Sequence, residues 1–163
     1  MSHRPCGWIL LDSLAALLLL GTGGLGLGLS VVQAVQQQRE GVAWAQALQL
    51  SDDLLARMAI NREGLDAYRL SLAEMPVAQD CTQRDCDASQ WAQADLSAWK
   101  RRVQTELPHG DAQLIRALGD ARQILIWLCW SAAPTGQPVT ALAAPEVPPC
   151  PSGKRCHALW ALP

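Results

Sequence analysis

The residue types in this chain best suited to chemistry are its six cysteines. Cys81 and Cys86 have four residues between them, whereas a thioredoxin-like redox site has two. Cys150 and Cys156 lie near the end of the chain, next to His157. These four cysteines and His157 offer zinc ligands by type, but their spacings do not fit the common zinc fingers. Six cysteines in a chain with an N-terminal apolar segment favour an oxidising compartment and disulfides, so neither a metal nor a cofactor is predicted.

Disulfide connectivity does not follow from spacing alone. The simplest pairing joins Cys81 to Cys86 and Cys150 to Cys156, and leaves Cys129 unpaired in a strand. The alternative is a cross-link such as Cys129 to Cys150, which would fasten the long loop between them to the sheet.

The charge pattern gives no indication of a nucleic-acid partner or of an enzyme. The net charge is −2, and the one basic cluster, Lys100-Arg101-Arg102, lies in a helical pattern. We predict that this cluster is a solvated helix face. His109 and His157 have no recognisable nucleophile or acid partner in the sequence, so no catalytic site is predicted.

A single acid, Asp12, interrupts the apolar run from Trp8 to Val32. A carboxylate at bilayer depth costs at least about 2.5–3.5 kcal/mol on insertion scales. A secretory signal cleaved near Val32-Gln33-Ala34 is one interpretation, but the apolar run is too long for it and contains the acid. A single-pass anchor of roughly 25 residues is another, and it explains the length but gives Asp12 no partner.

A third interpretation gives the acid a partner. The stretch GWILLD, Gly7 to Asp12, resembles the cleavage and methylation motif of type IV pilins and type II secretion pseudopilins, commonly GFTLIE. The resemblance implies that a prepilin peptidase cleaves after Gly7, which also removes Cys6. It further implies that the new amine of Trp8 is methylated and that Asp12 pairs with this amine on a neighbouring subunit. Trp8, Ile9 and Asp12 stand where the family commonly has Phe, Thr and Glu.

A long amphipathic helix is predicted from Val31 to Arg62, with Gly64 as its stop signal. Continuous with the membrane segment, this helix would be about 80 Å long at 1.5 Å per residue, as in a pilin spine. The apolar residues expected on its buried face are Trp44, Leu48, Leu55 and Met58, widened by Ala47, Leu50 and Leu54.

The end of this helix resembles one subgroup of the type IV pilins more closely than the others. Residues 51–68, SDDLLARMAINREGLDAY, are similar to the end of the spine helix in PilV-type minor type IV pilins. We expect Arg57 and Asn61, one turn apart, to tie the helix end to the following loop. The residues that carry the match are Asp53, Leu54, Arg57, Met58, Asn61, Arg62 and Gly64.

A second helix and a sheet are predicted beyond the cysteine-bounded loop. Asp87 and Gln90 form a capping box pattern at the start of the helix. Strands on either side of Gly119-Asp120 predict a hairpin, and HALWALP at the end of the chain predicts an edge strand. The loop and helix also resemble PilV-type chains. The buried face of the second helix should comprise Ala92, Leu96, Trp99, Val103 and Leu107.

These patterns predict an α+β, pilin-like fold. A long N-terminal spine helix, half of it transmembrane, would pack on a small antiparallel sheet with a short extra helix. The predicted segments are the leader 1–7, the membrane and assembly part 8–35, the amphipathic part 36–64 and the head domain 65–163.

The resemblance implies a minor type IV pilin that joins other minor pilins and the major pilin, near the tip of the filament. The chain would span the inner membrane once, with its C-terminus periplasmic, before it enters a surface pilus. The alternatives are a minor pseudopilin of a type II secretion system and a membrane-anchored periplasmic binding domain. The motifs leave open whether the pilus serves adhesion, twitching motility or DNA uptake.

Overall fold

A computed structural model describes residues 7–78, 80–83, 85–117, 123–131 and 147–163, with only the backbone described for 7–10 and 20–30. Two compact units divide the chain, Met1–Arg39 and Glu40–Pro163. The elements are α1 (Gly7–Ile60), a 3-10 helix (Arg62–Ala67), α2 (Ala88–Glu106), and strands β1 (Asp111–Arg116), β2 (Ile124–Ser131) and β3 (Lys154–Ala161).

The first unit is helical from Gly7 onward. Asp12 lies on the exposed surface of this helix. Within the part of the chain that the structure describes, no helix combines the length and the apolar character that a membrane crossing requires. Residues 1–6 of the predicted leader and the side chains of 20–30 lie outside the described residues. The boundaries of the predicted membrane segment therefore stay a prediction.

In the second unit α1 buries a face that differs from the predicted one. Trp44 and Leu48 were expected at its centre, but each is 41% exposed. Trp44 lies at the margin, in edge contact with Trp130 at 5.9 Å and His157 at 5.0 Å between ring centroids. The face is centred on a line of residues that recur one turn apart and are almost fully buried: Ala43, Ala47, Leu50, Leu54 and Met58.

The end of α1 also differs from the prediction, because the helix stops at Ile60 and Gly64 lies inside the 3-10 helix. Gly64 is required there for space. A Cβ atom at this position would collide with the carbonyl oxygen of Ala88 and with the side-chain amide of Asn61. Close approach of the 3-10 helix to the start of α2 therefore needs a residue without a side chain.

The predicted second helix is present, and its start and buried face are confirmed. The Asp87 carboxylate accepts a hydrogen bond from the Gln90 backbone N–H at 2.8 Å, and the Gln90 side chain accepts one from the Asp87 N–H at 3.0 Å. This capping box satisfies N–H groups that the first helical turn leaves unpaired. All five residues of the predicted face, Ala92, Leu96, Trp99, Val103 and Leu107, are buried.

The basic cluster of α2 is not simply a solvated face, so that prediction is wrong for Lys100. Lys100 is 0% exposed, whereas Arg101 is exposed. The position of Lys100 explains this, because it lies one turn after Leu96 and one turn before Val103, on the buried face. Its ammonium group donates hydrogen bonds to a carboxylate oxygen of Asp111 and, at 2.8 Å, to the carbonyl of Ala112.

The predicted hairpin and edge strand are confirmed by an antiparallel sheet in the order β1-β2-β3. The turn residues Gly119 and Asp120 lie outside the described residues. One face of β2 joins α1 and α2 in the main core, and its other face forms a smaller apolar cluster. The long helix, the extra helices and the antiparallel sheet together confirm the pilin-like α+β fold.

Candidate functional site

The residues of the predicted helix-end motif lie where α1 ends against α2. We call this site the helix-end junction, formed by Asp53, Arg57, Asn61, Tyr68 and Asp95. Arg57 donates to Asp53 at 3.0 Å and to Asp95 at 2.9 Å. The Tyr68 hydroxyl donates to the other oxygen of Asp95 at 2.7 Å. Asp95 of α2 therefore holds both the last turns of α1 and the residue that follows the 3-10 helix.

The electrostatics of the helix-end junction suit a fixed tie rather than proton transfer. Burial acts to lower the pKa of Arg57, but hydrogen bonds to Asp53 and Asp95 outweigh it and raise this pKa. Burial, followed by the hydrogen bond to Asp95, raises the pKa of the Tyr68 hydroxyl. Both donors therefore stay protonated throughout the physiological pH range.

A second arginine extends the ionic network along α2. Arg102 donates to Asp53 at 3.0 Å and to Glu106 at 2.7 Å. The hydrogen bond to Glu106 is the main cause of the raised pKa of Arg102. Asp53 thus bridges Arg57 of α1 and Arg102 of α2, which forms a partly exposed ionic link between the two helices.

The motif side chains bind mainly to α2, and Asn61 also contacts the side chain of Tyr68 beyond the 3-10 helix. The Asn61 amide donates to the carbonyl of Ala88 at 2.8 Å, in the first turn of α2. Met58 is fully buried in the core beside them. The sequence placed these residues at the helix end, but the partner Asp95 is far away along the chain and carries no local signal.

A groove of about 450 Å³ opens beside the helix-end junction. Its apolar surface comes from Ile60, which is 87% exposed, and Trp91, which is 45% exposed. Arg57, Asn61 and Asp95 line the rest. The sequence gives no signal for Trp91, because this residue lies just before the buried face of α2. Its neighbour Ile60 comes from the end of α1, so the groove depends on how the two helices pack.

The five cysteines that the structure describes form one disulfide and one cluster. Cys81 and Cys86 are joined by a disulfide. The sulfur of Cys156 lies within bonding distance of both Cys129 and Cys150, and all three sulfurs lie within 4.8 Å of one another. The simplest predicted pairing leaves Cys129 unpaired and the alternative joins it to Cys150, whereas the strand register places it directly opposite Cys156.

His157 is not part of this cysteine cluster. It alternates with Cys156 along β3 and contacts the ring of Trp44, on the opposite face of the sheet. Its Nε2 atom is buried and has no hydrogen-bond partner among the described residues. Burial lowers the pKa of His157, and the nearby charge of Asp52 acts in the opposite direction. The candidate zinc ligands Cys81, Cys86, Cys150, Cys156 and His157 are therefore not brought together.

The N-terminal motif residues lie at the start of α1. Gly7 begins the described part of α1, and Asp12 lies on the exposed surface five residues further on. The side chain of Trp8 lies outside the described residues. The pairing expected of Asp12 is with a different subunit, so it stays a prediction.

The long N-terminal helix and the small antiparallel sheet together form a pilin-like architecture. Residues 31–97 match the model of the Tt1218-like family, described as type IV pilin Tt1218. The match runs from α1 through the helix-end junction into α2, over less than half of the chain. It supports a type IV pilin, a structural and non-enzymatic class of protein that is anchored in a membrane and then assembled. Comparisons with curated proteins and with solved structures give no significant match.

Proposed function

We propose that this chain is a minor type IV pilin of the PilV type. The observation that carries the proposal is the match of residues 31–97 to a type IV pilin family. The similarity of residues 51–68 to the helix end of PilV-type chains supports the subtype. Prepilin peptidase cleaves the chain after Gly7, and the product joins other minor pilins and the major pilin near the tip of the filament.

The exposed surface of the first unit supports an assembly role. Leucines 11, 14, 17, 18 and 19 are between 63% and 69% exposed in the isolated chain. A contiguous apolar surface of this kind is unusual for a free monomer and is typical of a contact with lipid or with protein. The inner membrane covers this surface before assembly, and neighbouring spine helices cover it in the filament.

Asp12 is the only charged residue in this apolar segment. A carboxylate placed among apolar helices is stable when an opposite charge pairs with it. The amine of Trp8 on an adjacent subunit, released by cleavage, is that charge. Its pairing with Asp12 sets how far one subunit is displaced from the next along the filament.

The test is the mass and N-terminal sequence of the mature chain, purified from sheared pili and from the inner membrane. We expect a start at Trp8 with one added methyl group, in both fractions. A Gly7→Val variant serves as the matched control, because it should keep its leader and stay in the membrane. A start at Val35, as in a secreted protein, or an intact Met1, as in a plain anchor, would contradict the proposal.

The choice of pilus over secretion apparatus needs a separate measurement, because pseudopilins share the N-terminal motif. Wild-type chain should be recovered with sheared pili, and its deletion should reduce the number of surface pili. Normal piliation in the deletion strain, with loss of type II secretion, would assign the chain to the secretion system.

A further inference from the structure

The cysteine cluster, Cys129, Cys150 and Cys156, places three sulfur atoms where only one disulfide can form at a time. Cys129 lies on β2, opposite Cys156 on β3, with their Cα atoms 4.1 Å apart. Cys150 precedes β3 and approaches the same sulfur of Cys156, with their Cα atoms 5.7 Å apart. A cysteine sulfur forms one disulfide, so Cys156 pairs with one neighbour and leaves the other as a thiol.

We propose that this cluster is a thiol–disulfide exchange site in which Cys129 and Cys150 alternate as the partner of Cys156. In one isomer Cys129–Cys156 is the disulfide and Cys150 carries the thiol. In the other isomer Cys150–Cys156 is the disulfide and Cys129 carries the thiol. The proposal goes beyond a role in pilus assembly and does not depend on it.

The exchange step is balanced and needs no external oxidant. The Cys150 thiolate attacks the sulfur of Cys156, a Cys150–Cys156 bond forms, and the Cys156–Cys129 bond breaks. The electron pair of the broken bond leaves with Cys129, which takes up the proton that Cys150 released. One disulfide and one thiol are present before and after the step, so the chain is neither oxidised nor reduced.

The surroundings of the two alternating cysteines differ, which makes the isomers chemically distinct. Cys129 is 0% exposed and lies in the apolar cluster with Leu125 and Trp127. Cys150 is exposed, and its sulfur lies 3.3 Å from the carbonyl of Lys154, the geometry of a weak thiol donor. The thiol is therefore accessible to solvent in the first isomer and protected from it in the second.

The exchange also changes which part of the chain is fastened. The Cys129–Cys156 disulfide joins two strands that are already hydrogen-bonded to each other. The Cys150–Cys156 disulfide instead closes a small loop with a separation of 6 residues and fixes it to β3. In the first isomer this loop is held by weaker contacts, such as the 3.1 Å bond from the Lys154 N–H to the carbonyl of Pro151.

Disulfide mapping of the full-length wild-type chain, quenched in acid before digestion, is the first test. We expect to recover both linkages to Cys156, with the thiol of the cluster divided between Cys129 and Cys150, and Cys6 as a separate thiol where the leader is retained. Cys150→Ser should give only Cys129–Cys156, and Cys129→Ser only Cys150–Cys156. The Cys81–Cys86 disulfide is the internal control, because it should remain unmixed in every variant.

Trapping with iodoacetamide under native conditions separates exchange from a fixed mixture, and it needs no variant. Alkylation of the exposed Cys150 should draw every molecule into the Cys129–Cys156 isomer. For molecules that start with the Cys150–Cys156 disulfide, the rate of alkylation should become independent of iodoacetamide concentration at high concentration, because isomerisation then limits it. It should also rise about tenfold per pH unit below the thiol pKa, because the thiolate is the nucleophile.

Three results would overturn the proposal. The first is a single linkage to Cys156 in every molecule. The second is a population with its thiol on Cys129 that never becomes alkylated at Cys150 in the native state. The third is mixing of Cys81 or Cys86 into the linkages, which would indicate general reshuffling and not a site.

Discussion

Lys100 brings an ammonium group into the interior of the head domain, at 0% exposure. A buried charge is tolerated only when it is paired and hydrogen-bonded, and here Asp111 and the carbonyl of Ala112 satisfy it. Burial acts to raise the pKa of Asp111, but hydrogen bonds from Lys100 and from the N–H groups of Ala73 and Ala112 outweigh it and lower this pKa. The pair links α2 to the start of β1.

Replacement of Asp111 by Asn should destabilise the fold, because it leaves the buried charge of Lys100 without a counter-charge. Loss of one partner of a buried pair costs about 3–5 kcal/mol. Asp111 retains 20% side-chain exposure, so we expect a loss at the low end, about 3 kcal/mol. Urea unfolding of the full chain at pH 7, followed by tryptophan fluorescence, measures it.

The double variant Lys100→Met with Asp111→Asn is the matched control and should recover much of this loss, because no charge is then buried. The wild-type contribution of Asp111 should be fully present above its unfolded pKa, near 3.8, and lost as pH falls through the lower folded pKa. Asp111→Asn should therefore flatten the acid limb of the stability profile. An acid limb as steep as in the wild-type chain would contradict this account.

At the scale of elements, Gly64 determines how closely the 3-10 helix can approach α2. A Cβ added at Gly64 would overlap the backbone carbonyl of Ala88, and backbone cannot move aside as a flexible side chain can. We therefore expect Gly64→Ala to destabilise the fold by about 1–3 kcal/mol, the usual range for overpacking. Thermal unfolding monitored by circular dichroism measures the effect.

Gly41 provides the control within the same chain. It lies inside α1, and a Cβ added there meets nothing within 4 Å. Gly41→Ala should stabilise the helix by roughly 0.5–1 kcal/mol, because alanine loses less backbone entropy on folding. Equal effects of the two substitutions would show that Gly64 is not required for space.

Elements controlled by local interactions could be predicted from the sequence. The capping box of Asp87 and Gln90 and the apolar spacing of α2 depend only on residues within a few turns, and both are confirmed. The same spacing places Lys100 on the buried face, but a charged side chain is usually exposed, so the sequence favoured the surface. Its partner Asp111 belongs to a different element, so the energetic reason for burying it could not be known from the helix alone.

Contacts between distant segments could not be predicted in the same way. The position of Asp95 at the helix-end junction depends on how α2 packs against α1, and no local pattern encodes it. The cysteine cluster depends on the register of β2 with β3, whereas the sequence showed only which cysteines are close along the chain. Likewise the buried face of α1 includes Ala43 and Ala47 beside larger apolar residues, because small side chains let neighbouring elements approach closely.

At the scale of the whole molecule, the two units have different surfaces. All buried hydrophobic residues of the described chain lie between Ala43 and Trp130, inside the unit Glu40–Pro163. The described leucines of the unit Met1–Arg39 are instead exposed. The second unit therefore contains its own core, while the first needs lipid or other subunits to cover its apolar side chains.

Asp12 belongs to this uncovered surface, so its role should become visible only on assembly. Asp12→Ala should leave the chain stable and held in the membrane but reduce its incorporation into pili by about tenfold or more, because an unpaired buried charge costs about 3–5 kcal/mol. Asp12→Glu is the matched control, because it keeps the charge and should assemble well. Quantitative immunoblots of sheared pili, normalised to the membrane pool, measure incorporation. Undiminished incorporation of the alanine variant would remove the charge pairing assigned to Asp12, whereas loss of the chain from the membrane pool would show that the acid acts before assembly.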